Sequence, residues 1–417
     1  MSSCSRTRTK APRSARGHRN GRFSSSSATI VAEIDDILIQ ILSLLPIKTL
    51  LRSKRVSKRW FSLITNPDFS NRVIKSNHPL PVSGFFLHLP RAIMYSFVSL
   101  DGDDDAINQR ISSSLPLWFT DHSTDMIIMQ STNGLLLCRC ACASSNQFKT
   151  NYYVYNPTTK QYTLLPPVTT GYITLSLAFD PSTSPHYKVF CFRTRSMTSF
   201  SFSIEVYSSN EGHWKRLVLV PSSPSPFVEY KDTVFWNGAV YCYGPGTIDC
   251  ISFDFSQEET KILPLPNLDH EDGEPLPDPG TLRYLDESGG YLYFVEVNDQ
   301  GSSDLPVYEM ERNSSSWSLK YIVDLEPLAA AFPEMIRTEY YTNRRIYAFS
   351  VIGFVKEVTD AEPYIVLHIP NKAVKYNFIN KTFKKLCNFK PLVNDAPEEA
   401  FYRFQKTFQF IESLANV

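Results

Sequence analysis

The chain has 417 residues, 42 Lys/Arg against 42 Asp/Glu, and 42% apolar content. That length allows two or three domains of ordinary globular composition, and no stretch approaches the ~20 uncharged apolar residues of a membrane-spanning helix. The zero net charge hides a segregation: residues 1–29 carry +7, residues 30–77 carry +4 and residues 78–417 carry −11. So acidic a C-terminal region is a poor partner for nucleic acid, whose binding rests on phosphate neutralisation. The eight cysteines form no secreted framework, so reduced thiols and a nuclear or cytoplasmic location are expected.

Residues 1–29, rich in Arg and Ser and free of acids, read as a disordered basic tail. The next segment, 30–77, reads as a helical module. Asp35 or Asp36 can cap a helix whose apolar positions are Ile37, Leu38, Ile41, Leu42 and Leu45. Pro46 ends that helix or opens the next, which carries Leu50 and Leu51. A third helix, from about Ser53 to Ile64, places Val56, Trp60, Leu63 and Ile64 on one face and Lys54, Arg55, Lys58 and Arg59 on the other; Asn66-Pro67 stops it. About 40 residues bury too little surface for a self-sufficient core, so a module this apolar calls for a partner.

This module resembles an F-box. The resemblance rests on Asp36-Ile37-Leu38, Ile41-Leu42, Leu45-Pro46-Ile47-Lys48-Thr49-Leu50-Leu51 and Val56-Ser57-Lys58-Arg59-Trp60 at the family's spacing. Two positions depart from the pattern: Glu33-Ile34 replaces the usual Leu-Pro opening, and Ser57 replaces a frequent Cys. The resemblance implies docking on a Skp-type adaptor and, through it, on a cullin. The residues implied for that surface are Ile37, Leu38, Ile41, Leu42, Leu45, Pro46, Leu50, Leu51 and Val56.

From about residue 80 the pattern turns to period-two strands with polar turns. A strand–turn–strand element recurs at Tyr153–Tyr162, Ile204–Trp214, Ile251–Ile262, Val307–Trp317 and Val374–Phe383. Its anchors, Tyr155, Tyr207, Phe253, Tyr308 and Tyr376, are 52, 46, 55 and 68 residues apart. Periods near ~50 fit the four-stranded blades of a kelch-type propeller, with an insertion or a degenerate blade in the last gap. With strands between residues 83 and 141 added, about six blades are expected over 78–390; a pair of packed β-sandwiches is the alternative.

The same region resembles the F-box-associated domain of plant F-box proteins. The segments that carry this are Asn133-Gly134-Leu135, Tyr155-Asn156-Pro157-Thr158-Thr159, Ala178-Phe179-Asp180-Pro181, Trp236-Asn237-Gly238 and Tyr284 through Leu292. The pairing implies a substrate receptor of a Skp–cullin–F-box (SCF) ubiquitin ligase, binding a protein target of unstated identity through loops such as Pro221–Pro226 and 267–280. Two alternatives remain: an F-box scaffold or co-regulator working outside the ligase, and a propeller oxidase needing copper with converging Tyr, His and Cys ligands.

Other motifs resolve to structure. Cys138, Cys140 and Cys142 alternate along one strand face, but zinc needs four convergent ligands and no His lies near in sequence. Asp101–Asp105 fails as a calcium loop, since Ala106 and Ser112 stand where Gly and Glu are required. Gly244-Pro245-Gly246 is a turn, not a phosphate cradle, and His213 and Trp214 belong to a repeat hairpin. No catalytic, cofactor-binding or metal-ligating residue is assigned. Finally, Asp395 through Glu399 open a helix over 391–417 that places Phe401, Phe404, Phe408, Ile411 and Ala415 at helical spacing.

Overall fold

In a computed structural model of the chain the described residues are 34–76, 79–88, 95–100, 126–144, 147–168, 171–196, 201–220, 232–244, 247–266, 282–297, 301–312, 314, 316–338, 344–357, 361–389 and 406–417. The basic tail, the acidic run 101–105 and the two loops expected to grip a target lie outside them. The chain divides into two compact units, residues 1–45 and 46–417. The boundary therefore falls at Pro46, inside the expected 30–77 module. One reason is an ion pair that ties the helix after Pro46 to the far C-terminal segment: Lys48 Nζ lies 2.8 Å from Glu412 Oε1.

The first unit contributes α1 (Asp35–Ser43). Neither acid caps it; Ile34 holds the cap position without a side-chain bond, and Asp35 and Asp36 sit in the first turn, where the helix dipole favours carboxylates. The second unit begins with α2 (Ile47–Ser53), α3 (Lys58–Thr65) and α4 (Pro67–Ser76). The helix expected from Ser53 to Ile64 is broken, because Ser57 is extended at φ −158° and its Oγ accepts a bond from Trp60 N at 3.1 Å. The serine that replaces the family's cysteine is thus a helix cap. Asn66-Pro67 both ends α3 and opens α4: Asn66 Oδ1 accepts from Asp68 N at 2.8 Å, and proline takes the first helical position. The fourth helix, not anticipated from sequence, buries Phe69, Val73 and Ile74.

The strands run in chain order β1 (Val82–His88), β2 (Tyr95–Ser99), β3 (Met126–Thr132), β4 (Leu135–Ser144), β5 (Gln147–Asn156), β6 (Gln161–Leu164), β7 (Tyr172–Ala178), β8 (Lys188–Thr194), β9 (Phe202–Ser208) and β10 (Trp214–Val220). They continue as β11 (Asp232–Trp236), β12 (Ala239–Tyr243), β13 (Asp249–Asp254), β14 (Glu259–Pro264), β15 (Leu282–Ser288), β16 (Tyr291–Val297), β17 (Asp304–Met310) and β18 (Ser318–Asp324). After α5 (Glu326–Ala331) come the short ribbon β19 (Ile336–Thr338) and β20 (Arg345–Tyr347), then β21 (Ser350–Val355), β22 (Tyr364–Ile369), β23 (Lys372–Asn377), β24 (Thr382–Asn388) and β25 (Lys406–Ile411).

Five sheets are four-stranded antiparallel meanders, starting at β3, β7, β11, β15 and β21; a sixth has the order β2-β1-β25. The strands β25, β3, β7, β11, β15 and β21 neighbour one another in that cyclic order and close back on β25. This is a six-bladed propeller with those strands around its channel. Each hairpin repeat is the outer half of one blade. The long last gap holds α5 and the β19–β20 ribbon, an insertion and not a lost blade.

The turns explain why the repeat is readable. Asn156, Asp254 and Asn377 each fold their side chain over the turn; Oδ1 of each accepts backbone N–H bonds from Thr158 and Thr159, Ser256 and Gln257, and Ile379 and Asn380 respectively. Four residues after each, Lys160, Glu258 and Lys381 take positive φ. The inner hairpins of three blades use two-residue turns with both residues at positive φ: Asn133-Gly134, Asn237-Gly238 and Gly289-Gly290. At Gly134 a side chain is excluded twice, by φ +88° and by Ser413 Cβ 2.3 Å from any added Cβ.

The C-terminal helix expected over 391–417 is overturned where it is described. Residues 406–411 form β25, pairing antiparallel with β1 from Val82↔Ile411 to His88↔Lys406. The sequence KTFQFI satisfies a strand's period as well as a helix's, and the open edge of β1 decides between them. Closing the ring satisfies that edge's backbone groups, which a helix would leave unpaired. The propeller therefore extends past 390, and Leu414 and Ala415 are buried beyond its last strand. Asn156 Nδ2 donates to the carbonyls of Ser413 (3.0 Å) and Ala415 (2.7 Å), clamping the chain end onto the β5–β6 hairpin.

Candidate functional site

Two places concentrate side chains that set them apart from the rest of the fold: outward apolar ones and buried polar ones. One is the helical segment. The apolar stripe read along α1 splits into two adjoining lanes at ~100° per residue. Leu38 and Leu42 are buried and Leu45 is half-buried, whereas Ile37 and Ile41 are exposed, in line with Ile34 and with Leu44 at 85% exposure. In the second unit, Ile47 and Leu50 are core, Leu51 is half-buried and Pro46 is exposed. Val56 is 64% exposed in the α2–α3 break, and Phe61 on α3 is 53% exposed. Of the expected surface residues, Leu38, Leu42 and Leu50 are therefore core positions, while Ile37, Ile41, Pro46 and Val56 are outward. Leu44 and Phe61 were missed; their sequence signal was an apolar residue abutting a helix terminus or following Trp60 on the basic helix. Lys54 is partly buried, and burial lowers its pKa.

The other place is the propeller channel. A cavity of about 110 Å³ is lined by residues of β3, β11, β12, β15 and β25, among them Gln130, Asp232, Tyr243, Asp286 and Gln409. The polar side chains are mostly glue between blades. Gln130 Oε1 accepts from Leu177 N (2.7 Å), Ser176 Oγ and Thr233 Oγ1, joining three inner strands. Gln409 Nε2 donates to Asp286 Oδ2 (3.0 Å) and Glu287 O (2.8 Å), fastening β25 to β15. Arg283 Nε pairs with Glu296 Oε1 at 2.6 Å, the two side chains being 2% and 3% exposed, and its Nη1 donates to Gly244 O and Thr247 O. Lys406 pairs with Asp232 across the same cavity. Burial pushes the Asp286 carboxyl up to about 7, against bonds from Glu287 N and Gln409 that favour its charge. Burial also raises the Tyr243 hydroxyl, and the nearby Asp232 and Asp286 raise it further.

The alternating cysteines are structural where they are described. Cys138 and Cys140 are fully buried beneath Tyr153 and Tyr155, and burial raises the Cys138 thiol. The side chain of Cys142 lies outside the described residues. Among the described residues no group of three or more His, Cys, Asp and Glu is placed to hold a metal ion, and no helix is long and apolar enough to cross a membrane. Trp214 packs against Tyr207 at 5.7 Å between ring centres and donates to Pro166 O, as a hairpin residue should.

Residues 97–343 match the family described as F-box protein At3g26010-like, beta-propeller, and residues 35–75 match the F-box-like family. The chain is 77% identical to F-box protein At5g07610 of Arabidopsis thaliana, over all of both chains. It is 28% identical to F-box protein At5g49610 of the same plant, over 72% of this chain and 81% of that one. It is 28% identical to the Arabidopsis F-box/kelch-repeat protein At5g43190 over about half of each, 49% and 47%. With the helices at its N-terminal side and six blades after them, the chain belongs to the F-box proteins that carry a β-propeller.

Proposed function

We propose that this protein is a non-catalytic substrate receptor of an SCF ubiquitin ligase. The observation that carries the proposal is the set of outward apolar side chains on the F-box helices: Ile34, Ile37, Ile41 and Leu44 in the first unit, Val56 and Phe61 in the second. Isolated helices gain nothing by presenting these to water, and a Skp-type adaptor would cover them. Leu38 and Leu42 on α1 and Leu50 on α2 are buried and lie outside that outward set. A cullin would join through the adaptor, and the propeller would hold a protein target. Ubiquitin transfer would then follow from proximity supplied by other subunits. The nucleus or cytoplasm is the proposed site of action.

The test is adaptor binding by the purified chain beside Ile41→Asp and Phe61→Asp variants, with thermal denaturation run in parallel. Burying an unpaired charge at an interface anchor should weaken binding by ~30-fold or more, since each such anchor contributes ~2 kcal/mol. Both positions are exposed, so melting temperatures should hold. Adaptor binding unchanged in both variants would sink the proposal. Adaptor binding without any cullin in the purified complex would favour the ligase-independent scaffold.

A further inference from the structure

The channel cavity contains two aspartates that meet different fates. Asp232, at the start of β11, is neutralised by the Lys406 ammonium from the start of β25. Arg283, at the start of β15, is neutralised by Glu296. Asp286 receives only neutral donors, Glu287 N at 2.9 Å and Gln409 Nε2 at 3.0 Å, and among the described residues no Lys, Arg or His forms an ion pair with it. Because Glu296, outside the lining, takes up Arg283, Asp286 is the lining carboxyl left without a paired cation among the described residues. The same cavity is lined by Ser131 and Thr233, whose hydroxyls donate to Gln409 O and Gln130 Oε1 and can still accept, and by the rings of Tyr243, Tyr284 and Phe408. Carboxylate, hydroxyl and aromatic face together are the groups that replace the hydration shell of an ammonium ion. Lys406 already brings one ammonium to the lining, where it pairs with Asp232.

We propose that the propeller channel is a binding site for a second primary ammonium group on a narrow alkyl stem, held by Asp286. The cavity volume of about 110 Å³ is on the scale of such a group with a few carbons. The ligand chemistry has two sources, a free small amine or a lysine side chain presented by a protein. The inference goes beyond the receptor reading and does not rest on adaptor docking, so either can fail without the other.

The experiment titrates the full chain with n-butylammonium and, separately, with a short peptide bearing one lysine, followed by calorimetry and by nuclear magnetic resonance. Butyrate and tetramethylammonium serve as charge and size controls, and Asp286→Asn is the variant. Butylammonium should bind the wild type, and binding should fall at least tenfold in the variant while its melting temperature stays at or above the wild-type value. Binding by the lysine peptide as well would identify a protein-borne source; binding by butylammonium alone would identify a free amine. The proposal is overturned if the folded wild type binds neither probe at millimolar concentration. It is equally overturned if the variant binds as tightly as the wild type, or if butyrate competes equally well. Should Asp286→Asn fail to fold, Thr233→Val with Ser131→Ala removes the flanking hydroxyls and should weaken butylammonium in the same direction; unchanged binding there would also overturn it.

Discussion

Asp286 offers a stability prediction that can be worked through from the structure. Its carboxyl is held at about 7 when folded against 3.8 ordinarily, chiefly by burial. Between about pH 4 and pH 7 the unfolded chain has released this proton and the folded chain retains it. The folded state then binds more protons, so stability falls as pH rises through this window and levels off above it. The full displacement corresponds to ~4 kcal/mol of penalty above pH 7. Asp286 keeps part of its surface open to the cavity, and screening there brings the expected penalty to ~2 kcal/mol. Asp286→Asn removes the titration and keeps an oxygen to accept from Gln409 or Glu287 N. The variant should therefore gain ~2 kcal/mol over the wild type at pH 8, or ~2–3 °C in melting temperature for a unit this size, with the gain shrinking towards pH 4. Denaturation of both proteins at several pH values measures it. A variant-to-wild-type difference that does not change with pH would refute the reasoning, as would a variant less stable at pH 8.

The buried pair beside it gives the opposite expectation: Arg283→Met strands Glu296 and should cost ~3–5 kcal/mol, with much of the loss recovered in Arg283→Met/Glu296→Leu, read by chemical denaturation. Gly134→Ala should destabilise the propeller far more than Gly212→Ala. Both glycines have positive φ, but only at Gly134 does an added Cβ meet Ser413, and paired thermal melts would show the difference. On the helices, Leu50→Ala should cost ~2–5 kcal/mol of stability, whereas Val56→Ala should stay within ~0.5 kcal/mol of the wild type, again by denaturation.

The propeller was legible because its outer hairpins repeat a chemistry and not only a hydrophobic period. Asn156, Asp254 and Asn377 each start a turn whose fifth residue takes positive φ, and a polar Asx residue after an aromatic strand shows this in the sequence. A second signal lay beside it unused: Gly134, Gly238 and Gly290 end the inner two-residue turns at intervals of 104 and 52 residues, one blade or two. The sixth blade could not be read as a repeat, since two of its strands come from before residue 100 and the third from residues 406–411. That same non-local pairing is why the chain end read as a helix: helical spacing is local, whereas the edge that captures Phe408 and Ile411 lies more than 300 residues away. On the F-box, composition gave the apolar stripe of α1 but not its division into core and outward lanes. Leu38 and Ile37 are adjacent apolar residues, and only packing distinguishes them.

The closing strand does more than seal the ring. Lys406, at its start, lines the channel cavity with Asp232, and Gln409, within it, holds Asp286. One residue past its end, Glu412 pairs with Lys48 on α2. From Lys406 to Glu412 is about 20 Å of extended chain; the cavity is lined along the first four residues of β25, and the pair with α2 lies one residue past its end. A chain cut after Ile411 would keep the strand and lose the Lys48 pair, the Asn156 clamp and the buried Leu414. It should close the propeller but hold α2–α4 less firmly, so amide exchange in those helices should rise while the blades stay protected. Blades and helices losing protection together would mean instead that the chain end stabilises the whole unit, and that the F-box has no separate hold on it.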